Sequence, residues 1–247
     1  KILWDKLAEI KFADNPGMNF VCGHSHIDVA WLWPLRETAR KVGRTYSTVT
    51  ALMDEYPDYH FVCSQVPLFQ FLKKHWPSIY ERVKARVAEG RFEPIGGTWV
   101  ENDCNVISGE SLVRQCVYGK RFFRNEFGFD VRVGWLPDVF GYSWAMPQIY
   151  KKSGLDYFMT SKISWNDTNR FPHNTFYWTG IDGTSIFTHF IHGTYNALVT
   201  PHEIQQFWDD YNSKIECPEF LSSYGFGDGG GGPTREMLDY IPRLADI

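Results

Sequence analysis

Two histidines and an aspartate at alternate positions, His24, His26 and Asp28, put three side chains able to bind a divalent metal into five residues. They follow directly on Met18-Asn19-Phe20-Val21-Cys22, an apolar run that reads as a short buried strand. Ligands just past a strand end stand on a rigid base and face solvent, which is where α/β enzymes keep their chemistry. A polar loop with one hydrogen-bonded histidine is the other reading. A lone His would favour it; the H-x-H-x-D spacing beside Trp31 favours a metal site.

Carboxylates follow three more predicted strand ends. Glu101 and Asp103 come after Thr98-Trp99-Val100. Asp138 lies in Gly134-Trp135-Leu136-Pro137-Asp138-Val139-Phe140-Gly141-Tyr142-Ser143. Asp228 heads the run Gly229-Gly230-Gly231-Gly232-Pro233. Each has a plainer use. Glu101 and Asp103 could be the charge pair of a helix N-terminus, Asp138 the second residue of a Pro-Asp turn, and Asp228 the start of a flexible turn. For Asp138, burial among Trp135, Leu136, Val139 and Phe140 makes an idle carboxylate costly and points to function. The four glycines look like a phosphate cradle, but the Lys-Ser/Thr of a P-loop is missing. Close backbone approach to a ligand is their alternative use.

The elements that must position these groups alternate between strand and helix. A helix opens at Pro34 and runs to Glu55, with Leu35, Val42, Tyr46, Val49, Leu52 and Met53 near helical period. A strand over 59–63 and a helix from Pro67 to Gly90 follow. A short strand over 92–97 is loosened by Pro and Gly, and Ser108 caps a helix ending near Gly128. Strands are expected at 131–135 and 157–160, around a short helix over 145–152. Strands 175–178 and 185–190 flank the turn Asp182-Gly183. A late strand covers 220–224, and Pro233 opens the last helix. This alternation implies an α/β fold with a mostly parallel sheet. No G-x-G-x-x-G fingerprint follows the first strand, so a closed or nearly closed barrel is expected, as one domain over 1–247. In such a barrel the acids share one rim.

Composition narrows the partners. A formal charge of −4 leaves no basic footprint, so no nucleic-acid partner is expected. No apolar run reaches membrane-spanning length and no signal peptide is visible, so no membrane partner is expected either. The chain begins at Lys1 without an initiator Met and is expected to be a piece of a longer protein. Its five cysteines are scattered, odd in number and without a C-x-x-C pair. That pattern suits a reducing, cytoplasmic compartment and argues against a thiolate zinc site. Ten tryptophans, among them Trp31, Trp33, Trp99, Trp135, Trp144 and Trp165 near predicted loops or strand ends, offer faces on which a sugar ring would stack.

Taken in order, His24-Ser25-His26-Ile27-Asp28-Val29-Ala30-Trp31, Gly96-Gly97-Thr98-Trp99-Val100-Glu101, Trp135 to Ser143 and Gly225 to Thr234 resemble the motifs of glycoside hydrolase family 38, the α-mannosidases. The Trp-Leu-Trp-Pro and Gly-Asp-Gly-Gly-Gly-Gly-Pro-Thr variants resemble its cytosolic, vacuolar and bacterial branch. The resemblance implies a distorted (β/α)7-type barrel and a zinc-dependent retaining exo-α-mannosidase that removes terminal mannose through a covalent mannosyl-aspartate. It implies His26, Asp28 and Asp138 as zinc ligands, Asp138 also as nucleophile, and Asp228 as the acid/base. Trp31 and Phe140 would bind substrate, and Lys162 would stand where other members place an Arg near the nucleophile. His24 would support the loop. The family's fourth zinc ligand is a later His, and no histidine follows His202 here, so that ligand is expected outside this chain. The partners implied are α-mannosides, with the full-length protein a homo-oligomer. A metal-dependent amidohydrolase or sugar deacetylase using metal-bound hydroxide at His24 and His26 is the alternative.

Overall fold

The computed structural model describes residues 17–191 and 193–245. Its first strand, β1 (Met18–Gly23), leads to α1 (Leu35–Glu55), β2 (Phe61–Cys63), α2 (Val66–His75), α3 (Pro77–Ala88) and β3 (Phe92–Pro94). The chain continues through α4 (Gly109–Phe127), β4 (Val133–Leu136), α5 (Met146–Lys152) and β5 (Tyr157–Thr160). After a 3-10 turn (Lys162–Ser164) come β6 (Thr175–Thr179), β7 (Ser185–Phe190), α6 (Pro201–Asp210), β8 (Glu219–Tyr224) and α7 (Arg235–Ala245).

The strands make two four-stranded sheets, in the orders β3-β2-β1-β8 and β4-β5-β7-β6. Every pair is parallel except the β6–β7 hairpin, whose turn is the expected Asp182-Gly183. The expected barrel is therefore not closed: the ladders stop at two seams. At one, Gly96 N–H donates to Val133 O at 2.9 Å. Pro94 has no N–H to extend β3, and Gly96 and Gly97, at φ +87° and +69°, turn the chain out of the strand. At the other, β7 and β8 meet through a side chain, Leu221 N–H donating to His189 Nε2 at 3.1 Å. Beyond that point Ala197 bridges Tyr224 in parallel.

Local chemistry explains the helix ends. Ser108 Oγ accepts the Ser111 N–H at 3.2 Å, and Gly128 closes α4 in the left-handed region. The single helix expected over 67–90 is two, because Pro77 bars Trp76 from helical backbone. Helix α6, not anticipated, starts on Thr200, whose Oγ1 accepts the Glu203 N–H at 3.3 Å. The buried face of α1 (Val42, Tyr46, Val49, Leu52, Met53) packs with Phe61, Phe69, Phe92 and Phe123 in one core, while Leu35 is exposed. β1 is not wholly buried as its apolar run suggested: Met18 and Phe20 stand about half exposed, and burial is complete only at Gly23.

Candidate functional site

Because β1, β3, β4, β5, β7 and β8 run parallel, the segments after them emerge on one rim. Those segments carry His26 and Asp28, Glu101, Asp138, Lys162, Tyr195 and Asp228 respectively. A cavity of about 180 Å³ is lined by His26, Asp28, Gln65, Glu101 and Asp138. A larger hollow of about 460 Å³ lies beside Ile163–Phe171 and Asp210, but the titratable cluster is in the smaller one.

His26 is the hub. Its Nε2 lies 3.2 Å from Asp28 Oδ1 and 3.3 Å from Asp138 Oδ2, and its Nδ1 lies 3.3 Å from Glu101 Oε2. Burial alone would lower its pKa, but Glu101, Asp138 and Asp28 outweigh it and hold the ring well above the ordinary histidine value. The surroundings thus favour positive charge at this ring. His24 is different. Its Nδ1 faces Val62 O at 3.1 Å, its ring meets Trp135 edge-on at 5.2 Å, and burial lowers its pKa to about 4. It is a neutral ring holding the loop to β2.

Asp138 divides its oxygens. Oδ1 pairs with Lys162 Nζ at 2.6 Å and accepts the Tyr195 hydroxyl at 2.9 Å, while Oδ2 faces His26. Burial pushes the carboxyl up, but His26, Lys162 and Tyr195 hold it well below the usual carboxylate range. Asp228 goes the other way: burial, with Asp28 and Asp138 nearby, raises it against the pull of His26 and Lys162. Two carboxylates on one rim are thus driven apart in proton affinity, as an acid and a nucleophile need.

One set of candidate metal ligands is His26, Asp28 and Asp228, whose ligand atoms lie within 4.8 Å of one another. Asp138 joins through its 3.3 Å approach to His26 Nε2, and His24 takes no part. Two exposed aromatic residues, Phe140 and Trp165, reach this centre through Lys162. Trp31 is exposed and packs edge-on to Trp33 at 5.5 Å. Phe140 and Trp165, both exposed, meet at 5.5 Å with Lys162 Nζ 3.4 Å from the Trp165 ring centroid. Trp135 is buried instead.

The glycine run is not a phosphate cradle. Arg44 Nη2 donates to Gly229 O at 3.3 Å and Thr45 Oγ1 donates to Gly230 O, so its carbonyls face α1. A Cβ on Gly230 would meet Thr45 Oγ1 at 2.9 Å, so the close approach is to the protein's own helix. Asp228 is held at φ +51°, a region Asp tolerates better than most residues.

Of the other acids, Glu101 belongs to the cluster and Asp103 does not. Glu101 Oε1 accepts from Ser64 Oγ at 2.5 Å, and its N–H donates to Gln65 Oε1 at 3.3 Å. Asp103 Oδ1 accepts the N–H groups of Asn105 and Val106, a turn rather than a helix start. Tyr195 was not anticipated. It sits in His192-Gly193-Thr194-Tyr195-Asn196, which carries no local sign of chemistry.

Residues 17–247 match the profile described as Glycosyl hydrolases family 38 N-terminal domain. The chain is 46% identical over 225 residues to Alpha-mannosidase G of Dictyostelium discoideum, covering 91% of this chain and 21% of that protein. It is 46% identical over 233 residues to an Alpha-mannosidase of Saccharomyces cerevisiae, with the same coverage of 91% and 21%. The chain therefore spans about a fifth of the length of these curated relatives. Its fold superposes on an alpha-mannosidase from Enterococcus faecalis with TM-score 0.73 at 21% identity, covering 92% of this chain and 27% of the other.

Proposed function

The chain belongs to glycosyl hydrolase family 38, and from that premise we propose that the protein carrying it is a zinc-dependent retaining exo-α-mannosidase. The observation that carries this reading is geometric: His26, Asp28, Asp138 and Asp228 converge on one rim, with Asp138 held by Lys162 at 2.6 Å and Tyr195 at 2.9 Å. Asp138 is held ionised by three neighbours, and Asp228 is pushed towards holding a proton. Retaining glycosidases need that pair of roles.

In this reading Asp138 attacks the anomeric carbon of a terminal α-mannoside as Asp228 gives its proton to the departing oxygen. A covalent mannosyl-aspartate forms and the aglycone leaves. Asp228, now ionised, takes a proton from water, whose oxygen displaces the Asp138 carboxylate and restores both groups. Lys162 and Tyr195 share one oxygen of Asp138 and fix its plane for attack. Trp31 and Phe140 offer apolar faces to the sugar ring, which suits their exposure.

The donor set fits zinc: one imidazole, carboxylates and no thiolate, around a ring that its neighbours bias to positive charge. His26, Asp28 and Asp138 would hold the ion, with Asp228 within reach. Bound there, zinc supplies Lewis acidity that orients sugar hydroxyls. The hydrolase alternative needs a metal shared by His24 and His26. His24 instead turns Nδ1 to Val62 O, and it is not part of the group His26, Asp28 and Asp228 whose ligand atoms lie within 4.8 Å of one another. The five free thiols, of which Cys63, Cys104 and Cys116 are buried, suit a cytoplasmic setting.

Asp138→Ala and Asp138→Asn in the full-length protein test the reading. Turnover of an aryl α-mannoside should be abolished in both. Substantial residual turnover in either, with the fold intact, would sink the assignment.

A further inference from the structure

An imidazole has two nitrogens, and in its neutral form one donates while the other accepts. Among the described residues the side-chain oxygens paired with the His26 ring are carboxylate: Asp28 Oδ1 and Asp138 Oδ2 at Nε2, Glu101 Oε2 at Nδ1. His26 Nδ1 and Glu101 Oε2 are both buried, neither has an aligned hydrogen bond, and they face each other at 3.3 Å. Two complementary buried atoms at that distance, each without another partner, belong to one interaction.

Glu101 is built to hold its place. Its Oε1 is taken by Ser64 Oγ at 2.5 Å, which leaves Oε2 for the ring. Its backbone N–H is tied to Gln65 Oε1 at 3.3 Å, and Gln65 Nε2 reaches back to Ile27 O at 2.9 Å. One glutamine side chain thus braces the loop of Glu101 against the loop of His26. Gln65 does so from φ +68°, a backbone conformation a non-glycine residue adopts at some cost.

We propose that Glu101 is a positioning residue: it accepts the Nδ1–H of His26, fixes the ring, and so assigns Nε2, the nitrogen facing Asp28 and Asp138, to the metal. This rests on the reading of His26 as a metal ligand. Glu101 touches neither metal nor sugar in this role. Its carboxylate makes Nε2 more basic and holds it on target, the task that carboxylate–histidine pairs perform around protein-bound metals.

The test uses full-length protein stripped of metal and compares wild type, Glu101→Ala, Glu101→Gln and His26→Ala. Zinc affinity is read by competition with a chromophoric chelator, coordination by the visible absorption of added cobalt(II), and folding by thermal unfolding of the metal-free protein. His26→Ala should lose zinc binding. Glu101→Ala should bind zinc about 10- to 100-fold more weakly with an altered cobalt spectrum. Glu101→Gln, whose amide oxygen still accepts from Nδ1–H, should recover part of that loss. If Glu101→Ala does not fold, Glu101→Gln decides, with an expected weakening of about 3- to 10-fold. Wild-type affinity in the folded Glu101 variants, with His26→Ala defective, overturns this inference and leaves the metal reading standing. Wild-type affinity in His26→Ala overturns both.

Discussion

Acid should loosen the seam between β7 and β8, and one histidine should account for a definable share. His189 Nε2 accepts the Leu221 N–H, so its proton sits on Nδ1, 2.9 Å from Thr175 Oγ1. The relay continues from Thr175 to Tyr211 OH at 2.8 Å, and from there to Glu219 O at 2.9 Å. A second ring proton would set N–H against N–H at the only described bond joining those strands. Burial lowers the pKa of His189 from 6.5 to about 4. The folded value lies below the unfolded one, so the unfolded chain takes up the proton first. Stability is complete above 6.5 and is lost as pH falls towards about 4. At 1.36 kcal/mol per pKa unit, that window is worth about 3 kcal/mol. The perturbation is His189→Gln, whose amide oxygen accepts from Leu221 and whose amide N–H donates to Thr175 without titrating. Urea unfolding of both proteins should agree within about 1 kcal/mol at neutral pH. Towards pH 4 the wild type should lose about 3 kcal/mol more than the variant. His24, also lowered to about 4, is common to both and cancels. Parallel stability curves would refute the argument.

Replacing Lys162, 2.6 Å from Asp138 Oδ1, with Met removes a charged partner worth about 1.5–3 kcal/mol. In the full-length protein kcat/KM should fall about 10- to 100-fold, and the acidic limb of the pH–rate profile should move up; an unmoved limb would contradict the assigned contact. Asp228→Ala should slow sugar leaving groups by about 10²–10⁴-fold but aryl mannosides with acidic phenols far less, and equal losses would exclude a proton-donating role. Gly119→Ala puts a Cβ 2.4 Å from the Thr98 carbonyl carbon and 2.5 Å from Gly97 O. Neither is a flexible side chain that can yield, so thermal unfolding should report about 1–3 kcal/mol of destabilisation; an unchanged melting temperature would contradict the packing.

The strand ends and their acids were legible because short apolar runs closed by His, Asp or Gly have few other uses. His26, Asp28, Asp138 and Asp228 do share one rim, and Ser108 and Gly128 bound their helix as read. Ring closure was not legible, since it depends on hydrogen bonds between residues such as Gly96 and Val133 that no local pattern announces. The helix break at Trp76 was available in principle from Pro77, but the long apolar face over 67–90 outweighed it; the start of α6 was available from Thr200-Pro201-His202-Glu203, a stretch with no expected element. Tyr195 was out of reach, because its role comes only from a 2.9 Å hydrogen bond to a residue 57 positions away. Glu101 could be singled out as an acid, but its function depends on which atom its free oxygen faces.

The strand order also imposes a schedule on synthesis. β4, β5, β6 and β7 occupy one continuous stretch, 133–190, so their sheet is built from near neighbours and can form as soon as that stretch is available. β8 is different: its ladder runs along β1, joining Met18 to Glu219 and Gly23 to Tyr224 across some two hundred residues. Until it arrives, the edge of β1 is an open template for other chains, with Phe20 beside it. Asp228 enters with β8. The surroundings of Asp138 at Lys162 and Tyr195 are therefore made before Asp228, and a chain that stops short of β8 lacks the carboxylate that the proposed mechanism uses as proton donor.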